Sequence, residues 1–349
     1  MEHLEHWDFL PVWMRTEGDA GDVVLSSRVR LARNIKGLPF PRCAEEPHLQ
    51  MVSQTIDQAL QKETDLGPLL KLRIEDLTNI ERLVLVEKHL CSPQFIEHPR
   101  QRFLIVNQEQ TISMMVNEED HLRIQAITPG LSLDEALSLA NRSDDYLEET
   151  LEFNFDESYG YLTACPTNVG TGIRASVMLH LPGLTMVDQV KRVLAAMTHV
   201  GINVRGFYGE GTESFGNIYQ ISNQVTLGHA EEEFINNLKS VCRQLIEQER
   251  TVREALLKDA RIQVEDRLCR SYGVLCQARV LTAQETLQLL SDVKLGVEMG
   301  IITGIQRTRL KELIFLSRAA ILQKVLGHET SPAERDFYRA KLVREQLKQ

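Results

Sequence analysis

Two different apolar spacings divide the sequence near residue 230, and this change constrains the fold more than any other feature. Before it, short runs rich in alternating or β-branched residues stand between glycine-bearing loops, as strands do. After it, Phe234, Leu238, Val241 and Leu245 recur at the spacing of a helix. The chain is therefore predicted to contain a β-sheet in its first part and helices throughout its second part.

Five runs in the first part are typical of strands. They are 83–86 (L-V-L-V), 103–106 (F-L-I-V), 111–116 (T-I-S-M-M-V), 122–127 (L-R-I-Q-A-I) and 176–181 (S-V-M-L-H-L). The middle three are joined by links too short for a parallel crossover, so antiparallel pairing is expected. A helix predicted over 185–199 would cover one face, which gives an α+β fold with helices flanking an antiparallel sheet.

The second part carries helix-start signals of its own. Thr282 and Glu285 form a capping box before an apolar run. Ser331, Pro332 and Glu334 give the same signal before the last predicted helix, with proline at its first position. These signals predict an all-α C-terminal domain.

The length of 349 residues is enough for about two domains. We predict a sheet-containing domain over residues 1–245 and a helical domain over residues 246–349, whose default role is packing or dimerisation. A homodimer through these helices is expected.

Composition narrows the class of protein. The formal net charge of -10 argues against nucleic-acid and anionic-membrane binding, which favour basic surfaces. Six scattered cysteines without a C-x-x-C pair indicate reduced thiols rather than disulfides or a zinc site. The N-terminus lacks a signal-peptide layout, and no apolar run reaches membrane-spanning length. A cytoplasmic protein without a metal site is expected.

The run L-S-S-R-V-R-L-A-R-N, residues 25–34, is the first unusual charge cluster. Leu25, Val29 and Leu31 alternate as in a half-buried strand, which puts Arg28 and Arg30 together on the opposite face. A solvated strand face is one explanation, since most short charge clusters are no more than that. A polyanion bound between the two guanidinium groups is the other.

Adjacent carboxylates occur in V-N-E-E-D-H-L-R, residues 116–123. Glu118 and Glu119 end a predicted strand, and Arg123 follows. Such pairs are usually solvated turns, but at a strand end that faces a cleft they can act as a general base or orient a cation.

A glycine-bearing segment, C-P-T-N-V-G-T-G-I-R, follows at residues 165–174. Gly170 and Gly172 would let the backbone approach a ligand closely, and Arg174 leads into the next strand. The segment lacks the G-K-[ST] element of a Walker loop. Cys165 can be a small buried hydrophobe or a reactive thiol.

A fourth segment, R-G-F-Y-G-E-G-T-E-S-F-G-N, spans residues 205–217. Glu210 lies between Gly209 and Gly211. A carboxylate on such a loop suggests a flap that closes over a substrate, and an ordinary flexible connection is the alternative.

The last segment, E-R-D-F-Y-R-A, begins the final helix. Arg335 and Arg339 are four residues apart, so they share a helix face at a cost of about 0.3 kcal/mol. Glu334 and Asp336 could offset the repulsion, and so could a bound anion.

Taken together and in this order, S-S-R-V-R, N-E-E-D-H-L-R, C-P-T-N-V-G-T-G-I-R-A-S-V and R-G-F-Y-G-E-G-T-E-S resemble the catalytic domain of phosphagen (guanidino) kinases. The resemblance implies that family's glutamine-synthetase-like sheet. The helical domain that precedes S-x-R-V-R in those kinases has no room here, because that segment begins at Ser26. A helical domain ending in R-D-F-Y-R-A follows instead. This layout is similar to that of bacterial protein arginine kinases (McsB type).

The resemblance implies that ATP, with Mg²⁺, phosphorylates arginine side chains of proteins. Arg28, Arg30, Arg123, Arg174 and Arg205 would surround the phosphates. The nucleotide-contacting stretches implied by motif are Ser27, Arg28, Val29, Arg30 and Leu31; Arg174, Ala175, Ser176, Val177 and Met178; and Arg205, Gly206, Phe207, Tyr208, Gly209 and Glu210. His89 would lie on the adenine side with Met178. Arg33 is expected to be structural.

The acceptor chemistry explains the carboxylates. A protonated guanidinium is a poor nucleophile, and two carboxylates, Glu119 and Glu210, can align it and accept its proton. Glu118 is the less favoured base by motif position. Cys165, as a thiolate, would help to orient the guanidinium, since the family has a cysteine at this point.

The resemblance also implies regulation and partners. Arg335, Asp336, Phe337, Tyr338, Arg339 and Ala340 would form an allosteric phosphoarginine site, in which the two arginines take the phosphate and Asp336 the guanidinium. A role in stress response is implied, in which proteins are marked for a AAA+ protease unfoldase. A zinc-containing activator protein and a heat-shock repressor are the other implied partners. The alternatives are a kinase of free arginine or another small guanidino compound, and an inactive phosphoarginine-binding adaptor.

Overall fold

The structure is a computed structural model that describes residues 10–61, 66–198, 201–206 and 214–348. Within these ranges, eight strands form one antiparallel sheet with the order β2–β3–β4–β5–β1–β8–β10–β9, and β6 and β7 form a separate hairpin. The strands are β1 (Val24–Arg33), β2 (Leu69–Arg73), β3 (Phe103–Asn107), β4 (Ile112–Val116), β5 (Leu122–Pro129), β6 (Phe155–Asp156), β7 (Gly160–Tyr161), β8 (Ile173–His180), β9 (Ile202–Gly206) and β10 (Ile218–Asn223).

Helices flank this sheet and continue beyond it. They are α1 (Val12–Arg15), α2 (Glu46–Ala59), α3 (Asn79–Glu87), α4 (Pro93–Glu97), α5 (Leu133–Glu148), α6 (Pro182–Met186), α7 (Val190–Thr198), α8 (Glu231–Asp259), α9 (Arg261–Gln277), α10 (Ala283–Glu298), α11 (Arg307–Leu316), α12 (Ala319–Leu326) and α13 (Pro332–Gln346). The predicted α+β class, an antiparallel sheet with helices and then an all-α region, is confirmed. None of the helices in the described ranges is both long and apolar enough to cross a bilayer.

The two faces of the sheet have different chemistry. On one face, apolar side chains such as Val29, Ile124 and Val177 pack beneath α2, α5 and α8 in the largest core. Burial of this apolar surface is the main force that holds those helices on the sheet. The alternate residues of the same strands point to the opposite face.

The predicted antiparallel order of the central runs is confirmed. Residues 103–106 and 122–127 lie in β3 and β5, and the run 111–116 lies in β4 between them except for its first residue. Phe103 of β3 is opposite Val116 of β4. The run at 176–181 lies almost wholly in β8.

The strand predicted over 83–86 is wrong, because this run lies in α3. Thr78 caps the helix by accepting from the Glu81 N–H at 3.3 Å, and the Glu81 carboxylate bonds back to the Thr78 N–H at 3.0 Å. This capping box fixes the helical start. Val84 and Leu85 are buried, whereas Leu83 is exposed, as expected for one helix face.

The single helix predicted over 185–199 is divided in two. Helix α6 ends at Met186, and Asp188 has a φ of +54°, which lies in the left-handed region and is incompatible with a continuing α-helix. Helix α7 then begins at Val190.

The helical second part packs against the sheet as well as within itself. Helix α8 is continuous across residues 245 and 246, so the expected domain division falls inside it and stays a prediction. A second core joins α9–α13 to Trp13 of α1 and Leu25 of β1. The predicted helix starts at Thr282 and Ser331 are confirmed, since each hydroxyl accepts an N–H at the third helical position.

Candidate active site

Arginines predicted from four motifs lie on the polar face of the sheet. Arg30 is directly opposite Arg174, and Arg123 is opposite Ala32, which shares a face with Arg30. Through β10, the register carries the same face to Arg205 on β9. Arg28, Arg30, Arg123, Arg174 and Arg205, hereafter the arginine face, are therefore brought to one side of four neighbouring or near-neighbouring strands.

These guanidinium groups lie close together, and some of their N–H groups lack hydrogen-bond acceptors among the described residues. Arg28 Nε donates to Ser176 Oγ at 3.2 Å. The buried Nε atoms of Arg30 and Arg174 have no hydrogen-bond acceptor among the described residues. Buried polar atoms are normally bonded, so these two donors indicate a place for an acceptor-rich ligand.

The electrostatic cost of this arrangement is seen in the pKa values. Burial, followed by the charges of Arg123 and Arg174, lowers the pKa of Arg28 to about 9. Burial and three like charges also lower the pKa of Arg30 well below its usual range, and Glu118 only partly opposes them. A polyanion bound here would remove this penalty.

The carboxylate of Glu118 is occupied by hydrogen bonds to other side chains of the protein. Its carboxylate accepts hydrogen bonds from Arg123 and from the Ser92 hydroxyl, and its side chain is nearly inaccessible. Burial raises the pKa of Glu118, but Arg123 and Ser92 outweigh this and keep the pKa below its usual range. Glu118 therefore positions Arg123. Ser92 gave no sequence signal, because it lies far from both motifs in the chain.

Glu119 has different surroundings. It is half-buried and lines an open cleft of about 910 Å³, together with Arg123 at the edge of the arginine face. Arg42, Glu97 and Arg100 line the outer part of the same cleft. Glu119 therefore offers a carboxylate to a group that enters from solvent.

Asp120, the next residue, holds the cysteine segment in place. Its Oδ1 accepts from the Ala164 N–H and from Asn34 Nδ2, both at 2.7 Å. Asn34 Nδ2 also donates to the Leu162 carbonyl at 3.1 Å. This function of Asp120 could not be predicted from the sequence, because its partners are more than forty residues away along the chain.

Cys165 is half-buried beside Arg174. Its Sγ lies 3.0 Å from Thr167 Oγ1. Burial and the cations Arg205 and Arg123 lower the pKa of Arg174, while Cys165 and Glu119 raise it, which places both groups near its charge. Cys165 therefore lies near the same arginine as Glu119, which lines the cleft.

The expectation that Gly170 and Gly172 admit a ligand is wrong in the structure. Both have positive φ, of +113° and +68°. A Cβ on Gly170 would lie 2.4 Å from the Thr226 carbonyl oxygen, and one on Gly172 would lie 2.7 Å from that of Ala32. The glycines are therefore required for close packing of the protein backbone.

The implied nucleotide-contacting stretches are divided between the two sheet faces. Arg28, Arg30, Arg174, Ser176 and Met178 lie on the polar face. Arg205 on β9 shares that face, whereas Gly206, the next residue, is on the opposite one. The side chains of Ser27, Val29, Leu31, Ala175 and Val177 are buried on the other face. Within these stretches the side chains of the polar face are therefore the ones that can reach a ligand, and the nucleotide contact stays a prediction. Phe207, Tyr208, Gly209 and Glu210 lie outside the described residues.

His89 lies at the far end of the arginine face. With Trp13, Arg28, Ser176 and Met178 it lines a small cavity. Burial, and then the charges of Arg318 and Arg28, lower the pKa of His89 well below its usual range, so the ring is neutral. This end is aromatic and apolar, unlike the cleft end. Trp13, which no sequence motif indicated, is buried there.

Arg33 has complete partners, as its expected structural role requires. Its Nε and Nη2 donate to Asp144 at 2.6–3.1 Å, and its Nη1 donates to the carbonyls of Ala32 and Thr171 at 3.0 Å. It also stacks 3.5 Å over the Tyr161 ring.

The R-D-F-Y-R-A segment of α13 separates its two arginines. Arg335 is half-buried and donates to the Thr330 carbonyl at 2.7 Å. Arg339 is buried, and donates to the carbonyls of Ser317 and Leu281 and to Asp336 Oδ1 at 2.5–2.8 Å. In this conformation Arg339 is occupied by acceptors inside the protein. The expectation that both arginines bind one phosphate is therefore corrected.

The rest of this segment is divided in the same way. Phe337 is 46% exposed and Tyr338 is half-buried, whereas Ala340 is buried. Asp336 remains partly accessible, with 27% of its side chain exposed. Arg335 and Asp336 are thus the two charged groups of the segment that a ligand could reach.

Comparison with protein families gives two matches. A profile of ATP:guanido phosphotransferase, C-terminal catalytic domain, matches residues 50–252, which is more than half of the chain. A profile of the protein-arginine kinase McsB C-terminal domain matches residues 261–349.

Individual relatives agree with these profiles. The chain is 49% identical to a protein-arginine kinase of Desulforamulus reducens over 338 residues, which cover 96% of this chain and 95% of that protein. It is 47% identical to a protein-arginine kinase of Bacillus subtilis over 348 residues, which cover 99% of this chain and 96% of that protein. A crystal structure of lombricine kinase is similar with a TM-score of 0.61 and 26% identity, over 69% of this chain and 70% of that one.

Proposed function

The chain belongs to the ATP:guanido phosphotransferase family, and from this premise we propose that it is a protein-arginine kinase that transfers the γ-phosphoryl group of ATP to arginine side chains of proteins. The observation that carries the proposal is the arginine face, where buried guanidinium nitrogens of Arg30 and Arg174 lack acceptors within the described part of the chain. A triphosphate supplies those acceptors and the negative charge together.

We propose that Arg28, Arg30, Arg123, Arg174 and Arg205 bind the ATP phosphates. Phosphoryl transfer depends on positioning and charge neutralisation, and a charge pair at about 4 Å contributes roughly 4 kcal/mol at an effective dielectric near 20. No group of three His, Cys, Asp or Glu side chains suited to a metal occurs in the described ranges. Mg²⁺ would therefore arrive as part of the MgATP substrate, bound through phosphate oxygens and water.

We assign the target guanidinium to the cleft beside Glu119 and Cys165. Glu119 is the carboxylate that is accessible there, since Glu118 is held by Arg123 and Ser92. Glu119 and Glu210 would align the planar guanidinium and accept its proton, with Cys165 stabilising the cation before transfer. The location of His89 and Met178 at the opposite end supports an adenine position there.

A protein rather than free arginine is the proposed acceptor. The cleft beside Glu119 is also lined by Arg42, Glu97 and Arg100. Its volume of about 910 Å³ is large enough for the target arginine and the polypeptide on either side of it. The relatives that cover nearly the whole chain are named for protein arginine.

We also propose that α13 carries an allosteric phosphoarginine site. Arg335 would bind the phosphate and Asp336 the guanidinium, with Arg339 holding Asp336 in place from inside. Phe337 and Tyr338 would border this site and Ala340 would pack beneath it. The helical region is proposed to form a homodimer interface as well.

The cellular role proposed here rests on the family resemblance rather than on geometry. We propose a cytoplasmic enzyme of stress response that marks proteins for a AAA+ protease unfoldase. A zinc-containing activator protein and a heat-shock repressor are its proposed partners.

The test is to incubate the purified chain with MgATP and either casein or free arginine, and to measure acid-labile phosphate on arginine by mass spectrometry. We expect phosphoarginine in casein, and none after Glu119→Gln. Asp134→Asn, a surface carboxylate of α5 that pairs with Lys239, is the control and should retain activity. Phosphorylation of free arginine alone would contradict the proposal.

A further inference from the structure

His89 has a backbone conformation that is uncommon for residues other than glycine. It follows α3 with a φ of +59°, at the position where glycine commonly ends a helix. The N–H groups of His89 and Leu90 close the helix by bonding to the carbonyls of Val86 at 2.9 Å and Leu85 at 3.0 Å. Residues with a Cβ are disfavoured in this region, so the conformation has a cost that contacts of the His89 side chain can offset.

Those contacts join the C-terminal helices to the arginine face. The His89 ring lies 5.7 Å from the Trp13 ring and 6.1 Å from that of Phe315, the penultimate residue of α11. The His89 carbonyl accepts from Gln125 Nε2 at 2.7 Å. Gln125 lies directly opposite Arg30 in the sheet. A shift of Phe315 would therefore disturb the wall of the nucleotide site through His89.

Glu87, two residues before His89, contacts the C-terminal helices at a second place, the start of α12. Its carboxylate accepts from the Ala320 N–H at 3.0 and 3.1 Å and from the Ile321 N–H at 2.8 Å, in the first turn of α12. Arg318, the residue in the capping position, makes no side-chain cap of its own and lies 3.7 Å from Glu87. Glu87 thus caps α12 from a distant part of the chain and interacts with its positive end.

The segment between these contacts is residues 315–321, hereafter the α11–α12 corner. Phe315 is fully buried against His89 and Trp13 at its start, and Glu87 holds Ala320 and Ile321 at its end. Glu87 is the last residue of α3 and His89 lies two residues after it. The α11–α12 corner and the His89 turn are therefore held to the same end of α3.

We propose that Glu87 is a positioning residue of the nucleotide site, which sets the adenine-side wall by fastening the α11–α12 corner against His89. This inference rests on the proposed function, since that function assigns ATP to the arginine face. The C-terminal helices would then shape ATP binding directly, in addition to packing. Glu87 touches neither phosphate nor acceptor, so its loss should weaken ATP binding and spare the chemical step.

The test is steady-state kinetics of Glu87→Gln with casein and MgATP. We expect the KM for ATP to rise about tenfold, because bonds from two N–H groups to a charged acceptor are weakened. The KM for casein and kcat should stay within about twofold. Glu87→Asp, which keeps the charge, should restore part of the ATP affinity.

Glu81→Gln is the matched control. Glu81 is also a carboxylate of α3 that reaches α12, where Lys324 Nζ lies 2.9 Å away, but it stands six residues before Glu87. Its substitution should change neither KM. If both variants raise the KM for ATP equally, or if Glu87→Gln raises neither, the proposal is wrong.

A second variant covers the case in which Glu87→Gln does not fold. Phe315→Leu keeps the cap and removes the ring against His89, and should also raise the KM for ATP selectively. An unchanged KM for ATP in this variant would equally overturn the proposal. Failure of the wild type to form phosphoarginine would refute the proposed function instead, and MgADP titration of the same variants would still test Glu87.

Discussion

Arg28 and Arg30 of the sheet are two residues apart and the two arginines of α13 are four apart, yet the guanidinium groups of the two regions have different surroundings. On the arginine face, Arg30 lies opposite another arginine, and its Nε has no acceptor within the described residues. In α13, Arg339 is only 2% exposed, but two carbonyls and Asp336 accept its hydrogen bonds.

This difference distinguishes an arginine that binds a ligand from one that holds the fold. A buried cation with complete partners stabilises its own surroundings, whereas one beside like charges is a cost until an anion arrives. Arg33 makes the same point within one strand, since it lies three residues after Arg30 and is fully paired with Asp144.

The largest expected effect is on activity at the arginine face. Arg30→Met should lower kcat/KM for ATP by about 10³-fold, the loss of roughly one charge pair in a site of effective dielectric near 20. Its free energy of unfolding without nucleotide should be no lower than that of the wild type, because a like-charge repulsion is removed. Arg270→Met, on the exposed side of α9, is the control. A variant that is both inactive and much less stable would break the comparison.

The next effect is on stability at Arg33. Arg33→Met should lower the free energy of unfolding by about 3 kcal/mol, because Asp144 is left buried without its partner. Adding Asp144→Leu should recover a large part of this loss. Urea unfolding of the two variants measures both values. A double variant less stable than Arg33→Met would show that the pair is not the cause.

The two arginines of α13 should separate in the same way. Arg339→Met should cost about 2 kcal/mol of unfolding free energy, since buried acceptors lose their donor. Arg335→Met should cost about 0.5 kcal/mol or less, as for a half-buried surface group, yet remove stimulation by phosphoarginine peptides. Denaturation and peptide-stimulated kinase assays measure the two effects. Equal destabilisation by both substitutions would contradict this division.

A pH dependence is expected at Lys311, a buried cation whose acceptors are the carbonyls of Thr16 and Leu25. Burial, then the charge of Lys294, lowers the pKa of Lys311 to about 7, and Glu17 opposes this. The folded chain therefore loses this proton at lower pH than the unfolded chain.

Stability should accordingly rise with pH above about 7, by up to about 1.4 kcal/mol per unit from this group. Lys311→Met should flatten that slope between pH 7 and 9 in thermal unfolding. An unchanged slope would show that another group is responsible.

Much of the sheet could be predicted from the sequence, because strand alternation and short links are local signals. The same alternation placed Arg28 and Arg30 on one face. The run at 83–86 was wrongly predicted as a strand, because its alternating valines are typical of strands. The capping box that makes it helical, at Thr78 and Glu81, lies before the run.

The contacts that complete the site could not be predicted in this way. Ser92 against Glu118, and Asp120 against Ala164, join residues that only the fold brings together. The required glycines at 170 and 172 were recognised, but their neighbours are backbone carbonyls rather than a ligand. Sequence patterns report the local backbone, whereas hydrogen-bond partners depend on the tertiary structure.

The central claim is that the arginine face binds the nucleotide phosphates, and a crystal structure of the chain with MgADP tests it most directly. We expect diphosphate oxygens within hydrogen-bond distance of Arg28, Arg30, Arg123 and Arg174, with the adenine toward His89. MgADP bound elsewhere, with these guanidinium groups still facing one another, would contradict it.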